Sequence, residues 1–135
     1  MRRFDAYESA LSVLRRAKEQ DLANEFIQGG IIDKFSLQFE LGWKLLKDLL
    51  RYEGVASAAT GSPREILKAA YRYFTFIDDQ IWLRMLTDRN TMAHIYDSGA
   101  ARRLVTTIIE EYIPAFDDLG RSIRERYGSE LEHIA

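Results

Sequence analysis

Apolar residues recur along the chain at steps of three and four, and no stretch shows sustained alternation of apolar and polar positions. That period is the mark of helices with one buried stripe. Phe4, Tyr7, Leu11, Leu14 and Ala17 predict a first helix from about Arg2 to Gln20. Asp21-Leu22-Ala23-Asn24 breaks it, because Asp and Asn both suit helix caps. A long second helix is predicted from about Glu25 to Tyr52, with Gly29-Gly30 as its weak point, since each glycine costs about 1 kcal/mol in a helix interior. Ile32, Phe35, Phe39, Gly42, Trp43, Leu46, Leu49 and Leu50 share one broad face, while Leu37, Leu41, Leu45 and Tyr52 fall partly outside it. A helix that is apolar on more than one side has two neighbours to satisfy, within the fold or across a subunit interface. This one therefore reads as the central helix, and Gly42 on its apolar face suits a close helix crossing.

Glu53-Gly54 ends the central helix, and Ser62-Pro63-Arg64-Glu65 starts the next with a serine cap, a proline in the first turn and a glutamate placed for a capping box. The third helix is short, about Pro63 to Tyr73, with Ile66, Leu67, Ala70 and Tyr71 predicted inward. Asp78-Asp79 caps a fourth. Asp97 or Ser98 caps the last, which runs from about Ala100 to Tyr127. Pro114 removes the hydrogen bond to the Glu110 carbonyl, so a kink is expected there. The tail, about residues 128–135, is expected to fray. The prediction is an all-α, up-and-down bundle of about five helices, four long and one short, in a single domain over residues 1–135.

Composition narrows the picture. The chain has 135 residues, enough for one buried core, and a net charge of −2 argues against a protein built mainly to hold polyanions. Arginines cluster at Arg2-Arg3, Arg15-Arg16, Arg102-Arg103 and Arg121/Arg124/Arg126, the pattern of solvated helix faces. No apolar run approaches the roughly 20 residues that span a bilayer, so no membrane association is expected. The N-terminus lacks the apolar centre of a signal peptide, and no cysteine is present. These features favour the cytoplasm.

Chemistry concentrates in Asp88-Arg89-Asn90-Thr91-Met92-Ala93-His94-Ile95-Tyr96-Asp97, at the C-terminal half of the fourth helix. On an ideal helix Arg89 falls in the apolar stripe with Trp82, Met85 and Leu86, and Tyr96 lies almost directly along from it. His94 points away by roughly 140°, beside Asn90. An arginine in an apolar stripe needs an anionic or carbonyl partner, because an unpaired buried charge is very costly. Glu40 or Asp48 could supply a carboxylate; alternatively, Arg89 lines a cleft or a two-fold interface that a phosphate or a second subunit reaches. Because Arg89 and His94 diverge, a site using both needs a distorted helix end or two copies facing each other. His133 is expected to be exposed and idle. No His-Glu-x-x-His pair, glycine-rich phosphate loop or Gly-x-Ser-x-Gly elbow occurs, and no metal or other cofactor is expected.

Arg89-Asn90-Thr91-Met92-Ala93-His94 resembles the Arg-x4-His signature of the HEPN superfamily, and Tyr96 extends it to Arg-x4-His-x-Tyr. The blocks Phe39 to Lys47, Ser62 to Glu65 and Trp82 to Asn90 are similar to the branch known as nucleotidyltransferase substrate-binding proteins. The resemblance covers about residues 3–127, with Gly29-Gly30 as a departure. It implies a HEPN-like homodimer whose motif helices meet near the two-fold axis, and a minimal nucleotidyltransferase encoded nearby as partner. In toxin–antitoxin versions it implies a metal-independent ribonuclease acting on RNA. His94 is then the general acid/base, Arg89 stabilises the phosphorane, and Asn90 orients the phosphate or the histidine. Silencing is by AMP transfer to Tyr96. The other reading is a non-catalytic accessory subunit that binds the nucleotidyltransferase or its nucleotide substrate.

Overall fold

A computed structural model describes residues 1–92 and 97–134. It is an all-helical bundle with no strand among those residues. The helices are α1 (Arg2–Leu14), α2 (Glu25–Tyr52), α3 (Pro63–Tyr73), α4 (Asp79–Thr91), α5 (Ser98–Thr107) and α6 (Ile113–Tyr127). The central position of α2 follows from its pattern: it packs on α1, α3, α4 and α5. No helix among the described residues is long and apolar enough to cross a membrane.

The helix starts obey local chemistry. Asn24 accepts from the Phe26 and Ile27 amides at 2.9 and 3.2 Å, and α2 then runs without a break through Gly29 and Gly30. Ser62 Oγ accepts from the Glu65 amide at 3.3 Å, with Pro63 in the first turn. Asp78 caps α4 and Asp97 caps α5 in the same way. Each such cap contributes about 1 kcal/mol by satisfying amides that have no partner inside the helix.

Two glycines set the closest crossings. A Cβ on Gly42 would stand 2.6 Å from Trp82 Cη2, so α4 reaches α2 only because that position is bare. A Cβ on Gly120 would stand 2.8 Å from Glu8 Oε1 and 3.5 Å from Tyr7 Cε1. The ring of Tyr7 thus lies between Gly42 on α2 and Gly120 on α6. Around it Phe35, Phe39, Trp82, Tyr112 and Phe116 form a connected aromatic core, with Phe35 stacked on Tyr112 at 5.3 Å between centroids.

Four expectations need correction. The first helix is α-helical only to Leu14 and continues as a 3-10 turn over Arg15–Glu19. Tyr71 is 52% exposed, because it sits about 90° from the centre of the face that buries Ile66, Leu67 and Ala70. The last helix has a π turn, Ile108–Tyr112, in which the Ile113 amide donates to the Ile108 carbonyl. This turn takes up the discontinuity expected at Pro114, whose ring has no N–H to give Glu110. The tail is not loose: Gly128–His133 form a 3-10 turn, Ile134 is buried, and the Leu131 carbonyl accepts from the Met1 amine at 2.8 Å.

Candidate functional site

The face that buries Trp82, Met85 and Leu86 carries Arg89 to the edge of the core, one or two turns further on. Its side chain is 24% exposed. Nη1 donates to Glu40 Oε1, and the guanidinium lies 5.4 Å from the centre of the Phe39 ring. Of the two carboxylates the sequence offers, α2 thus presents Glu40 to Arg89; Asp48 is taken by Arg3 at 2.6 Å. Glu40 serves more than one donor. Trp43 Nε1 donates to its Oε2 at 3.2 Å, and Lys44 Nζ stands 3.5 Å from the same oxygen. Two cations and an indole N–H thus share one carboxylate. Arg89 Nε is buried without a hydrogen-bond partner among the described residues.

The neighbouring residue is anchored in the opposite sense. Asp88 Oδ2 accepts from the Tyr112 hydroxyl, whose pKa is pushed well above the ordinary tyrosine value, first by burial and then by that carboxylate. One helical turn earlier Arg84 pairs with Glu111 at 2.7 Å. Consecutive residues of α4 therefore bind two different elements, Arg89 to α2 and Asp88 to the π turn. Since neighbours on a helix diverge by about 100°, the two anchors fix the rotation of the helix end that leads into the motif.

Asn90 is exposed and takes no part in the Arg89–Glu40 cluster. His94 and Tyr96 lie outside the described residues. The sequence pointed to Glu40 as one of two partners for Arg89 but not to its other donors, Trp43 and Lys44. It missed the Asp88–Tyr112 pair altogether. The available signal was a tyrosine inside the apolar stripe of the last helix, since a buried hydroxyl needs a hydrogen-bond partner.

The sequence matches the family described as nucleotidyltransferase substrate binding protein like over residues 2–125. The chain belongs to this family. No curated protein sequence matches it. The part that matches the nucleotidyltransferase substrate binding protein-like family runs from α1 almost to the end of α6. It contains Glu40, Arg89, Asn90, His94 and Tyr96, whereas the 3-10 turn at Gly128–His133 lies beyond it.

Proposed function

We propose that this chain is the binding partner of a minimal nucleotidyltransferase encoded nearby, and that it is the toxin half of the pair, a homodimeric, metal-independent endoribonuclease. Its membership of the nucleotidyltransferase substrate binding protein-like family carries the first part of this reading. The second part rests on the complete Arg89, Asn90, His94, Tyr96 set and on a partly exposed guanidinium whose carboxylate partner is shared with Lys44.

In this reading His94 takes the proton of an RNA 2′-hydroxyl, the 2′-oxygen attacks the adjacent phosphorus, and the 5′-oxygen leaves with a proton. The products are a 2′,3′-cyclic phosphate and a 5′-hydroxyl. Arg89 stabilises the charge that builds on the phosphorane oxygens, and Asn90 orients the phosphate or the imidazole. The partner silences the enzyme by joining the Tyr96 oxygen to the α-phosphorus of ATP, with release of pyrophosphate and loss of the phenolic proton. The added adenylate brings a negative charge to the face that Arg89 serves.

Intact mass of the purified chain after incubation with the neighbouring nucleotidyltransferase and ATP tests the regulatory half. A gain of one adenylate in the wild type, lost in Tyr96→Phe, is expected; an unchanged wild-type mass overturns it. Growth and RNA integrity on expression of wild type, Arg89→Ala and His94→Ala test the catalytic half, and identical outcomes for all three overturn it. One observation favours the second reading, a non-catalytic subunit that binds the nucleotidyltransferase or its nucleotide: Glu40 already satisfies the charge of Arg89, as it would for a purely structural arginine. Formation of the complex with wild-type affinity by Arg89→Ala, together with no cleavage by any variant, is the result that selects it.

A further inference from the structure

Where α1 ends, the packing of α1 on α2 opens into an apolar gap. α1 stops at Leu14 and tightens into the 3-10 turn Arg15–Glu19, while α2 carries Gly30 beside it. Between them lies a groove of about 280 Å³, close to the smallest sites that take small molecules. The buried Leu14, Ala17 and Ile31 line it, together with the more exposed Val13 and Ile27. A Cβ on Gly30 would meet nothing within 4 Å, so no neighbour in the bundle requires a bare position there. Glycine inside a helix is destabilising relative to alanine, and the fold could accept a side chain at this point. Because Gly30 lines the groove, that side chain would fill it. The bare position keeps open a space that the fold itself does not need.

The polar groups around the groove have one sign. Arg16 and Lys34 are exposed beside it, and neither has an ion-pair partner among the described residues. Among those residues no carboxylate lines the groove, although the chain as a whole is acidic, with a net charge of −2. Two cations beside aliphatic walls select a ligand with an anionic head and an apolar body. No aromatic ring lines the groove, so a nucleotide base would find nothing to stack on. A straight alkyl chain suits such walls better. A methylene group takes up about as much volume as a water molecule, so the space holds a chain of about eight to ten carbons.

We propose that this groove is a binding site for a medium-chain carboxylate, a single-chain amphiphile of about eight to ten carbons. Its chain lies against Leu14, Ala17 and Ile31, and its carboxylate pairs with Arg16 and Lys34. Gly30 precedes Glu40 on α2 by about 15 Å along the helix axis, so the groove is separate from the Arg89–Glu40 cluster. Occupancy of the groove does not depend on any activity at Arg89 or on a partner protein.

Calorimetric titration of the full chain with decanoate, kept below its micelle-forming concentration, tests it. One decanoate per chain is expected to bind, with Kd below about 1 mM. Hexanoate should bind at least about tenfold more weakly, since each half-buried methylene is worth about a factor of two. Decylammonium has the same chain and the opposite charge, and should also bind at least about tenfold more weakly than decanoate. The double variant Arg16→Gln/Lys34→Gln should erase that preference. Gly30→Leu should abolish decanoate binding while helicity stays at the wild-type level and the melting temperature is equal or higher. A wild type that takes up no decanoate at about 1 mM overturns the proposal. So does binding that survives Gly30→Leu, or a charge preference that is absent or untouched by the double substitution. Association with vesicles of anionic phospholipid but not with decanoate overturns it too, since that outcome marks a membrane-facing patch.

Discussion

Two polar clusters lie on opposite sides of α2 and are built on contrasting principles. On one side Gln38 Nε2 donates to the Tyr7 carbonyl at 3.0 Å, and the Tyr7 hydroxyl donates to the Phe116 carbonyl at 2.6 Å, all of it buried and neutral. On the other side Glu40, Arg89, Lys44 and Trp43 gather charged groups at the rim, each partly open to water. The neutral cluster ties three helices together at their closest approach. The charged cluster adds little to stability, since exposed ion pairs contribute about 0–1 kcal/mol, but it leaves a guanidinium within reach of a ligand. The division teaches that polarity in this bundle performs two separable tasks, and substitutions should separate them.

The largest effect is expected on the neutral side. Gly42→Leu drives a side chain into the Trp82 ring, which is buried and cannot retreat, and should cost about 3 kcal/mol or more by chemical denaturation. Next, Arg89→Ala should change unfolding free energy by no more than about 1 kcal/mol, because Glu40 keeps Lys44 and Trp43. Under the proposed function it nevertheless lowers RNA cleavage by about a hundredfold or more. Large destabilisation with no selective loss of activity would merge the two clusters into one structural unit.

Tyr7→Phe comes third, with a loss of about 1 kcal/mol at neutral pH for one buried hydrogen bond. Burial, then the nearby Glu8 carboxylate, raises the Tyr7 pKa well above its ordinary value near 10. The phenol therefore contributes stability below pH 10 that is lost as pH rises beyond it. Tyr7→Phe should make the alkaline decline in stability shallower, which pH-dependent denaturation can measure. Gln38→Leu should have the smallest effect, within about 0.5 kcal/mol of wild type or slightly stabilising. It removes a hydrogen bond but also a buried Oε1 that has no partner among the described residues.

The same contrast explains what could be read from the sequence. Periodicity and caps lead directly to α2, α3 and α4, because apolar spacing and Asn24, Ser62 and Asp78 act locally. The Gly42 crossing was visible for the same reason: a bare position on an apolar face has few other uses. Glu40 could be narrowed to one of two acids, but choosing between Glu40 and Asp48 needs the relative rotation of α2 and α4. Tyr112 in the apolar stripe signalled a buried hydroxyl in need of a partner, but that the partner is Asp88 was not legible. It depends on a π turn, and hydrogen bonding five residues back leaves no periodic trace in so short a stretch.

That turn also keeps time along the last helical rod. From Val105 onward the apolar seam steps 108, 112, 116, 119, 123, about five turns at the 3.6-residue period of an α-helix. The wide turn at Ile108–Tyr112 lies within that seam, and beyond it Phe116 meets Trp82 and Gly120 faces Tyr7. Because that turn bonds five residues back instead of four, deleting one residue there should let it close to a regular α turn with α6 still facing the aromatic core, whereas deleting one residue from the regular helix beyond it would rotate all that follows by about 100°.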